Sequence, residues 1–326
     1  MTHANKSFIW ASLIATLIPL NSWACATCGC SLNTDATMGY STHPGWQLNF
    51  QFDYLNQDSL RSGRGAASRV PQGSELQNDT LTRTYTTGIT YVPNSNWSLS
   101  LKAPYIIRAH STYGNYAATQ PLPALSESRS SSLGDVKFIL SYQGLLSTHN
   151  LGVQLGLKLP TGEYGDATHF FNGPYIDTPL DTSLQAGTGS TDMIAGAYYL
   201  TSLGEAFDMV ATGQIQGAIK QRLDRPGNDY RPGNSELATF GLRYVVNPQW
   251  VPQLQINLTH KSSESGARAD TVGSAGSVAY LSPGIAIKAT DHTRFYAFAQ
   301  LSIYSNLSGY QIFSRYALSV GASYAL

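Results

Sequence analysis

The chain has 326 residues with 20 basic and 20 acidic side chains, so only 12% of it is charged beside 42% hydrophobic residues. That pairing excludes disorder, which needs low hydrophobicity together with net charge, and the balanced charge gives no electrostatic drive toward nucleic acid. Three cysteines are too few to staple a fold of this size.

At the N-terminus, Lys6 precedes a mostly apolar run from Phe8 to Leu20. The run is too short to span a bilayer but suits the core of a signal peptide. Ser22 and Ala24 are the small residues expected before a cleavage site, so residues 1–24 read as an export signal. Lipid attachment at Cys25 is the alternative, although Ser22 and Trp23 stand where that reaction wants an aliphatic and a small residue. Next comes Cys25-Ala-Thr-Cys28-Gly-Cys30, within a segment 25–44 expected to lie in the periplasm. Thiolates this close can hold copper or zinc, with His43 as a fourth ligand. They can equally pair as Cys25–Cys28 in an oxidising compartment and leave Cys30 for a periplasmic redox partner. No other cofactor is implied.

After residue 24 no stretch approaches 18 continuous apolar residues, so a spanning helix is excluded and a closed β-barrel is the remaining way to cross a membrane. Trp46, Leu48, Phe50, Phe52 and Tyr54 share one face of a strand, opposite Gln47, Asn49, Gln51 and Asp53. Twelve segments show this period of two: 46–56, 81–92, 97–109, 133–145, 150–160, 190–200, 207–219, 236–246, 251–262, 276–289, 293–303 and 312–326. Short connections (93–96, 146–149, 201–206, 247–250, 290–292) alternate with long polar ones (57–80, 110–132, 161–189, 220–235, 263–275). The last connection, Tyr304–Gln311, is short for its side. Alternation of tight periplasmic turns and long outer loops is characteristic of outer-membrane barrels. A soluble β-sandwich also alternates, but gives no reason for the loop pattern and would carry more charge on its solvent face. The expected fold is therefore an all-β, up-and-down antiparallel transmembrane barrel of about twelve strands over residues 45–326. An even count puts both termini in the periplasm of a Gram-negative cell.

Two motifs add a family likeness. Leu157-Lys158-Leu159-Pro160-Thr161-Gly162, followed by Ser183-Leu184-Gln185-Ala186-Gly187-Thr188-Gly189-Ser190-Thr191-Asp192, resembles the outer-membrane transporter family named for the meta-cleavage pathway of phenol degradation. Tyr280-Leu281-Ser282-Pro283-Gly284 resembles it as well. The likeness implies an outer-membrane channel or uptake protein and assigns no substrate and no catalytic residue. The chain departs from general outer-membrane barrels by ending in Leu326 instead of an aromatic residue.

The polar faces should line a narrow lumen, since eight strands are filled by side chains and sixteen hold an open channel. They carry Asp53, Lys102, Asp135, Lys137, Lys158, Asp208, Arg243, Gln255 and Lys288, among which bases outnumber acids. The excess points to uptake of small anionic, polar or aromatic-catabolic solutes; mutual salt-bridging that merely fills the barrel is the competing reading. A structural barrel whose cysteine segment docks a metal or a periplasmic protein is the alternative function. The expected partners are outer-membrane lipid and lipopolysaccharide, a small solute and the barrel-assembly machinery, and not nucleic acid. One enzymatic reading remains. His260 and Ser262 share the lipid-facing side of their strand, with Glu236 at the same height, and a His beside a Ser is the core of a lipid hydrolase.

Overall fold

Strict alternation becomes strand wherever one face meets lipid and the other meets polar groups, and here it does so along the whole chain. The computed structural model describes residues 44–71, 74–115 and 124–326. In chain order the strands are β1 (Gly45–Gln57), β2 (Ser59–Gly63), β3 (Gly65–Ala66), β4 (Glu75–Asn94), β5 (Trp97–Asn115) and β6 (Ser126–Leu133). There follow β7 (Val136–Tyr142), β8 (Leu151–Leu159), β9 (Phe170–Asn172), β10 (Ser190–Leu203), β11 (Phe207–Gln221) and β12 (Asp224–Arg225). The last are β13 (Asn228–Asp229), β14 (Ser235–Tyr244), β15 (Trp250–Lys261), β16 (Gly276–Lys288), β17 (Thr293–Phe313) and β18 (Tyr316–Ala325).

Twelve of them close a barrel in the order β1, β4, β5, β7, β8, β10, β11, β14, β15, β16, β17, β18, every neighbouring pair antiparallel. β18 returns to β1 with Gln47 opposite Ala325 and Asp53 opposite Ser319. The barrel wall therefore has no free edge, which is what lipid demands of a sheet. The two faces are inverted relative to a soluble protein. Leu254 is 46% exposed, while its neighbour Gln255, on the inner face, is 1% exposed. Trp46, Leu48 and Phe50 on β1, and Leu318, Val320 and Tyr324 on β18, continue the apolar outer belt. Among the described residues no helix is long and apolar enough to cross a membrane.

The ends of the barrel differ. At the end with short turns, aromatic pairs sit directly across the ladder. Trp46 meets Tyr91 and Trp97 meets Tyr142 at 4.6 Å between ring centroids, and Phe207 meets Tyr244 at 5.3 Å. This is one of the aromatic girdles that hold such barrels at the interface. At the other end the strands run on past the belt. Arg83 points outward from β4, exposed, and marks the edge of the lipid zone. Beyond it β2 pairs with the end of β17, β6 with β5, and β9 with β6.

Each of the twelve expected segments holds a barrel strand, but the fourth (expected 133–145) is confined to Val136–Tyr142, the last (expected 312–326) starts only at Tyr316, and three run well beyond what alternation indicated. β4 starts at Glu75, β5 ends at Asn115 and β17 ends at Phe313. The expected connection Tyr304–Gln311 is therefore strand, and the turn falls at Ser314–Arg315. Above the lipid zone the outer face no longer has to be apolar, so the alternation fades while backbone pairing continues.

Inside, glycines make room for rings that lie flat on the wall. A Cβ on Gly152 would stand 2.2 Å from Cζ of Tyr198, and one on Gly321 would stand 2.3 Å from Cζ of Tyr296. Tyr198 donates its hydroxyl to Oε1 of Gln143 at 2.8 Å, and Gln143 in turn donates to the Ser95 carbonyl at 2.8 Å. Val251, Ala286, Tyr296 and Phe298 form a buried apolar cluster on the inner side of β15, β16 and β17.

Candidate functional site

The connection between β8 and β10 folds over the outer mouth. The turn Thr182–Leu184 places Leu184 in a buried cluster with Phe170, Leu180 and Ile312, the last contributed by β17. On the other flank, Nη1 of Arg108, on β5, donates to the carbonyls of Leu184 and Gln185, the second at 3.3 Å. The loop is thus gripped from two separated strands of the wall. β9 ties it to β6, where the Glu127 amide donates to Oδ1 of Asn172 at 2.7 Å.

The foot of this loop is an ionic cluster. Lys158 on β8 is 3% exposed, and its ammonium lies 2.9 Å from Asp135 and 3.1 Å from Asp192. It also donates to Ser190 at 3.1 Å and to the Thr188 hydroxyl. Asp135 accepts from the backbone amides of Gly162 at 3.1 Å and Thr188 at 3.0 Å, so one carboxylate holds both ends of the loop. A buried ion pair is tolerated only when its remaining lone pairs and protons are satisfied, and here the loop satisfies them.

Beside the cluster stand two more bases. Lys137 on β7 pairs across the ladder with Lys158 on one side and with Lys102 of β5 on the other. The Lys137 ammonium donates to Oε1 of Gln216 at 3.1 Å, and Gln216 donates to Asp192 at 2.6 Å. Three lysines side by side on one inner wall are unfavourable in isolation, because like charges directly opposite repel.

The other expected lumen residues are spread along the barrel. Each carboxylate oxygen of Asp53 accepts from the Gln51 amide at 2.8 Å, one of them also accepts from Ser319 at 2.5 Å, and Gln51 accepts from the Tyr296 hydroxyl at 3.0 Å. Gln255 is buried opposite Gly241 and Ser282. At the short-turn mouth Asp208 accepts from Ser202 at 2.8 Å and lies 3.9 Å from Arg243. Lys288 bridges to exposed Asp291 at 2.7 Å. Arg294 stands next to Lys288 in register.

Acids gather under the outer loops. Burial, followed by the nearby carboxylates of Asp270 and Glu264, pushes Asp181 up to about 7. Burial raises Asp270 to about 6 against the pull of the Gly273 and Val272 amides. Burial also holds Glu75 well above the usual carboxylate range, with Asp181 adding to it. Among the described residues no three His, Cys, Asp or Glu side chains are placed to hold a metal ion. Cys25, Cys28, Cys30 and His43, expected as metal or disulfide residues, lie outside the described residues, as does the expected signal segment.

On the lipid side, His260 of β15 bonds through Nδ1 with the hydroxyl of Ser277 on β16 at 2.8 Å, instead of meeting Ser262. Ser262 accepts from the Asn234 amide at 2.9 Å. Glu236 lies opposite His260 in the ladder, with no ion pair between them. His260, Ser277 and Glu236 border a mostly apolar surface cavity of about 690 Å³, beside Ile215, Leu258 and Tyr304, which Ser262 does not line.

Sequence reading missed Arg108, Thr188, Ser190, Asp192 and Ser277. Thr188 to Asp192 lie within the motif Gly187-Thr188-Gly189-Ser190-Thr191-Asp192, which carried a likeness but no role.

No family model matches the chain, and no curated protein matches it. Among solved structures, an outer membrane channel from Pseudomonas putida F1 superposes with a TM-score of 0.59 at 14% identity, over 88% of this chain and 97% of that one. The TodX monoaromatic hydrocarbon channel (a deltaS2 mutant) gives 0.47 at 10% identity, over 89% and 92%. The β domain of the Bordetella autotransporter BrkA gives 0.46 at 12% identity, over 87% and 100%. The first of these likenesses bears on the fold, a closed twelve-stranded barrel of the outer-membrane type.

Proposed function

We propose that this outer-membrane barrel is a passive channel for small solutes, with both termini in the periplasm, and that it favours anionic and polar solutes. The observation that carries the reading is the inversion of its two faces. An apolar belt meets lipid, while the enclosed face presents amides, hydroxyls and a run of three bases, Lys102, Lys137 and Lys158, paired side by side across the ladder. Aromatic catabolites with a carboxylate fit that lining. The folded-in loop, latched at Lys158 and Asp135, sets the constriction.

Purified protein in planar bilayers should conduct, and in a potassium chloride gradient its zero-current potential should lie on the chloride side. A monodisperse mature protein that needs no detergent would remove the reading at its root. The filling of the lumen by Tyr198, Tyr280, Gln255 and Gln300, each at most 2% exposed, favours one competing reading. That reading is a closed interaction barrel working through its N-terminal cysteines, and the absence of any conductance would support it.

A further inference from the structure

Between β11 and β17 the apolar belt on the lipid-facing side is hollowed. Two neighbouring rows of the ladder form the hollow. The row nearer the membrane centre runs Gly213, Ala238, Leu258, Ala279 and Tyr304, each opposite the next on the following barrel strand. The row nearer the outer mouth runs Ile215, Glu236, His260 and Ser277 in the same way. Gly213, Ala238 and Ala279 are small, so the surface sinks between the exposed side chains of Ile215, Leu258 and Tyr304. The result is the cavity of about 690 Å³, the size of a small-molecule pocket, but opening toward lipid.

The outer edge of this cavity is polar. Glu236 is the second residue of β14, His260 the last but one of β15 and Ser277 the second of β16. The belt does not end at their level, since Ile219, further out along β11, is still 60% exposed. A carboxylate on the lipid face is costly unless it meets polar groups. Glu236 is exposed, with no base within salt-bridge distance among the described residues. His260 commits Nδ1 to the Ser277 hydroxyl at 2.8 Å and leaves Nε2 for a further partner. A cation stands at the other flank. The Arg64 guanidinium carbon lies 5.8 Å from the centroid of the Tyr304 ring. Arg64 belongs to the turn between β2 and β3, which is fixed to the outer part of β17 where Gly63 is opposite Leu307. A cation–π contact positions the guanidinium without neutralising it. Arg64 therefore meets the cavity at β17 and Glu236 meets it at β14, with β15 and β16 between them.

We infer that this cavity is a docking site for one phosphorylated glycolipid of the outer leaflet. An acyl chain fills the hollow, a phosphate meets Arg64, and sugar hydroxyls or amides meet Glu236 and His260. Each contact follows from the chemistry of the lining. The guanidinium fork matches a phosphate bidentately. The carboxylate of Glu236 is acceptor-only and takes hydroxyl or amide donors. The apolar floor takes the chain. Separation of Arg64 from Glu236 by two strands keeps the phosphate away from the carboxylate. The site is independent of the lumen and stands whether or not the barrel conducts.

Purified lipid A is the probe, with lipid A stripped of its phosphates and phosphatidylethanolamine as comparisons. Each is added to the detergent-solubilised protein, and native mass spectrometry counts the lipid molecules that stay bound. The expected result is one lipid A per barrel, with each comparison lipid held about tenfold more weakly, as loss of a charge-assisted bond implies. Arg64→Gln should hold lipid A no better than the phosphate-free form. Ala238→Phe fills the hollow from its open side and should lose the bound lipid A. Val320→Phe, on the exposed face of β18 elsewhere in the belt, should bind like wild type. Unchanged heat-modifiability on gels confirms that each variant is a closed barrel. The inference fails if wild type retains no lipid A, if phosphatidylethanolamine or the phosphate-free form is held equally well, or if either Arg64→Gln or Ala238→Phe retains lipid A like wild type.

Discussion

Replacing Lys158 with Met isolates the energetics of the loop's foot. The substitution keeps the aliphatic stem and removes an ammonium that touches Asp135 at 2.9 Å, Asp192 at 3.1 Å and Ser190 at 3.1 Å. Asp135 and Asp192 are 7% and 3% exposed, so water cannot take over the lost role. Breaking a buried pair from one side costs about 3–5 kcal/mol, because a charge is left uncompensated. Here two carboxylates are left facing each other, and the upper half of that range applies unless one takes up a proton. The same change frees the Gly162 and Thr188 tethers, because Asp135 no longer has a fixed position. Urea unfolding in lipid vesicles, followed by tryptophan fluorescence and gel mobility, should show Lys158→Met destabilised by about 3–5 kcal/mol. Residues 161–189 should become open to protease in the folded protein. Adding Asp192→Asn should restore part of the loss. A Lys158→Met barrel within about 1 kcal/mol of wild type, with its loop still protected, would refute the argument, since surface ion pairs have that small worth and buried ones do not.

Other expectations follow from the same physics. The closed outer cap holds Asp181, Asp270 and Glu75 with raised pKa values, so it binds more protons than an open cap whose acids titrate near 4. Its stability is therefore full in acid, declines as the pH rises from about 4 to about 7, and stays low above that. Limited proteolysis of residues 161–189 should be slower at pH 5 than at pH 8, with Asp181→Asn flattening the difference; faster cleavage in acid would contradict the assignment. Gly152→Ala sets a methyl 2.2 Å from the Tyr198 ring and should cost about 1–3 kcal/mol in urea unfolding. A variant as stable as wild type would mean the ring can tilt away. Wild type and Ser277→Ala should show the same, negligible release of fatty acid from phospholipid in detergent. Hydrolysis that Ser277→Ala abolishes would make the His260–Ser277 bond catalytic.

The wall of the barrel was legible because its signal is a demand of the solvent. Wherever a strand crosses lipid, every second residue must be apolar, and the run Trp46 to Tyr54 shows it plainly. The signal stops where lipid stops. Tyr304–Gln311 reads as a connection because Ser305, Asn306 and Ser308 interrupt the pattern, yet Leu307 is opposite Gly63 and Gln311 is opposite Arg61 in a continuing ladder. The site was half legible for a different reason. Alternation assigns Lys102, Lys137 and Lys158 to the inner face one strand at a time, but it contains no register. Only pairing reveals that the three are consecutive, that Lys158 finds its acids in Asp135 and Asp192, and that His260 meets a serine on the next strand.

The pairing of the first barrel strand with the last also constrains how the molecule is made. β1 and β18 meet along nine residue pairs, from Gln47–Ala325 to Leu55–Ala317, and the Leu326 amide reaches the Trp46 carbonyl at 2.9 Å. Joining segments so distant in the chain costs on the order of 5 kcal/mol of ring-closure entropy. Until they join, two rows of backbone amides and carbonyls would face hydrocarbon, at several kcal/mol for each unpaired group. A half-zipped sheet is thus not a tolerable resident of the bilayer. Assembly becomes all-or-none, with slow, topology-limited kinetics, and a nascent chain lacking even its final strand has to be kept out of lipid altogether.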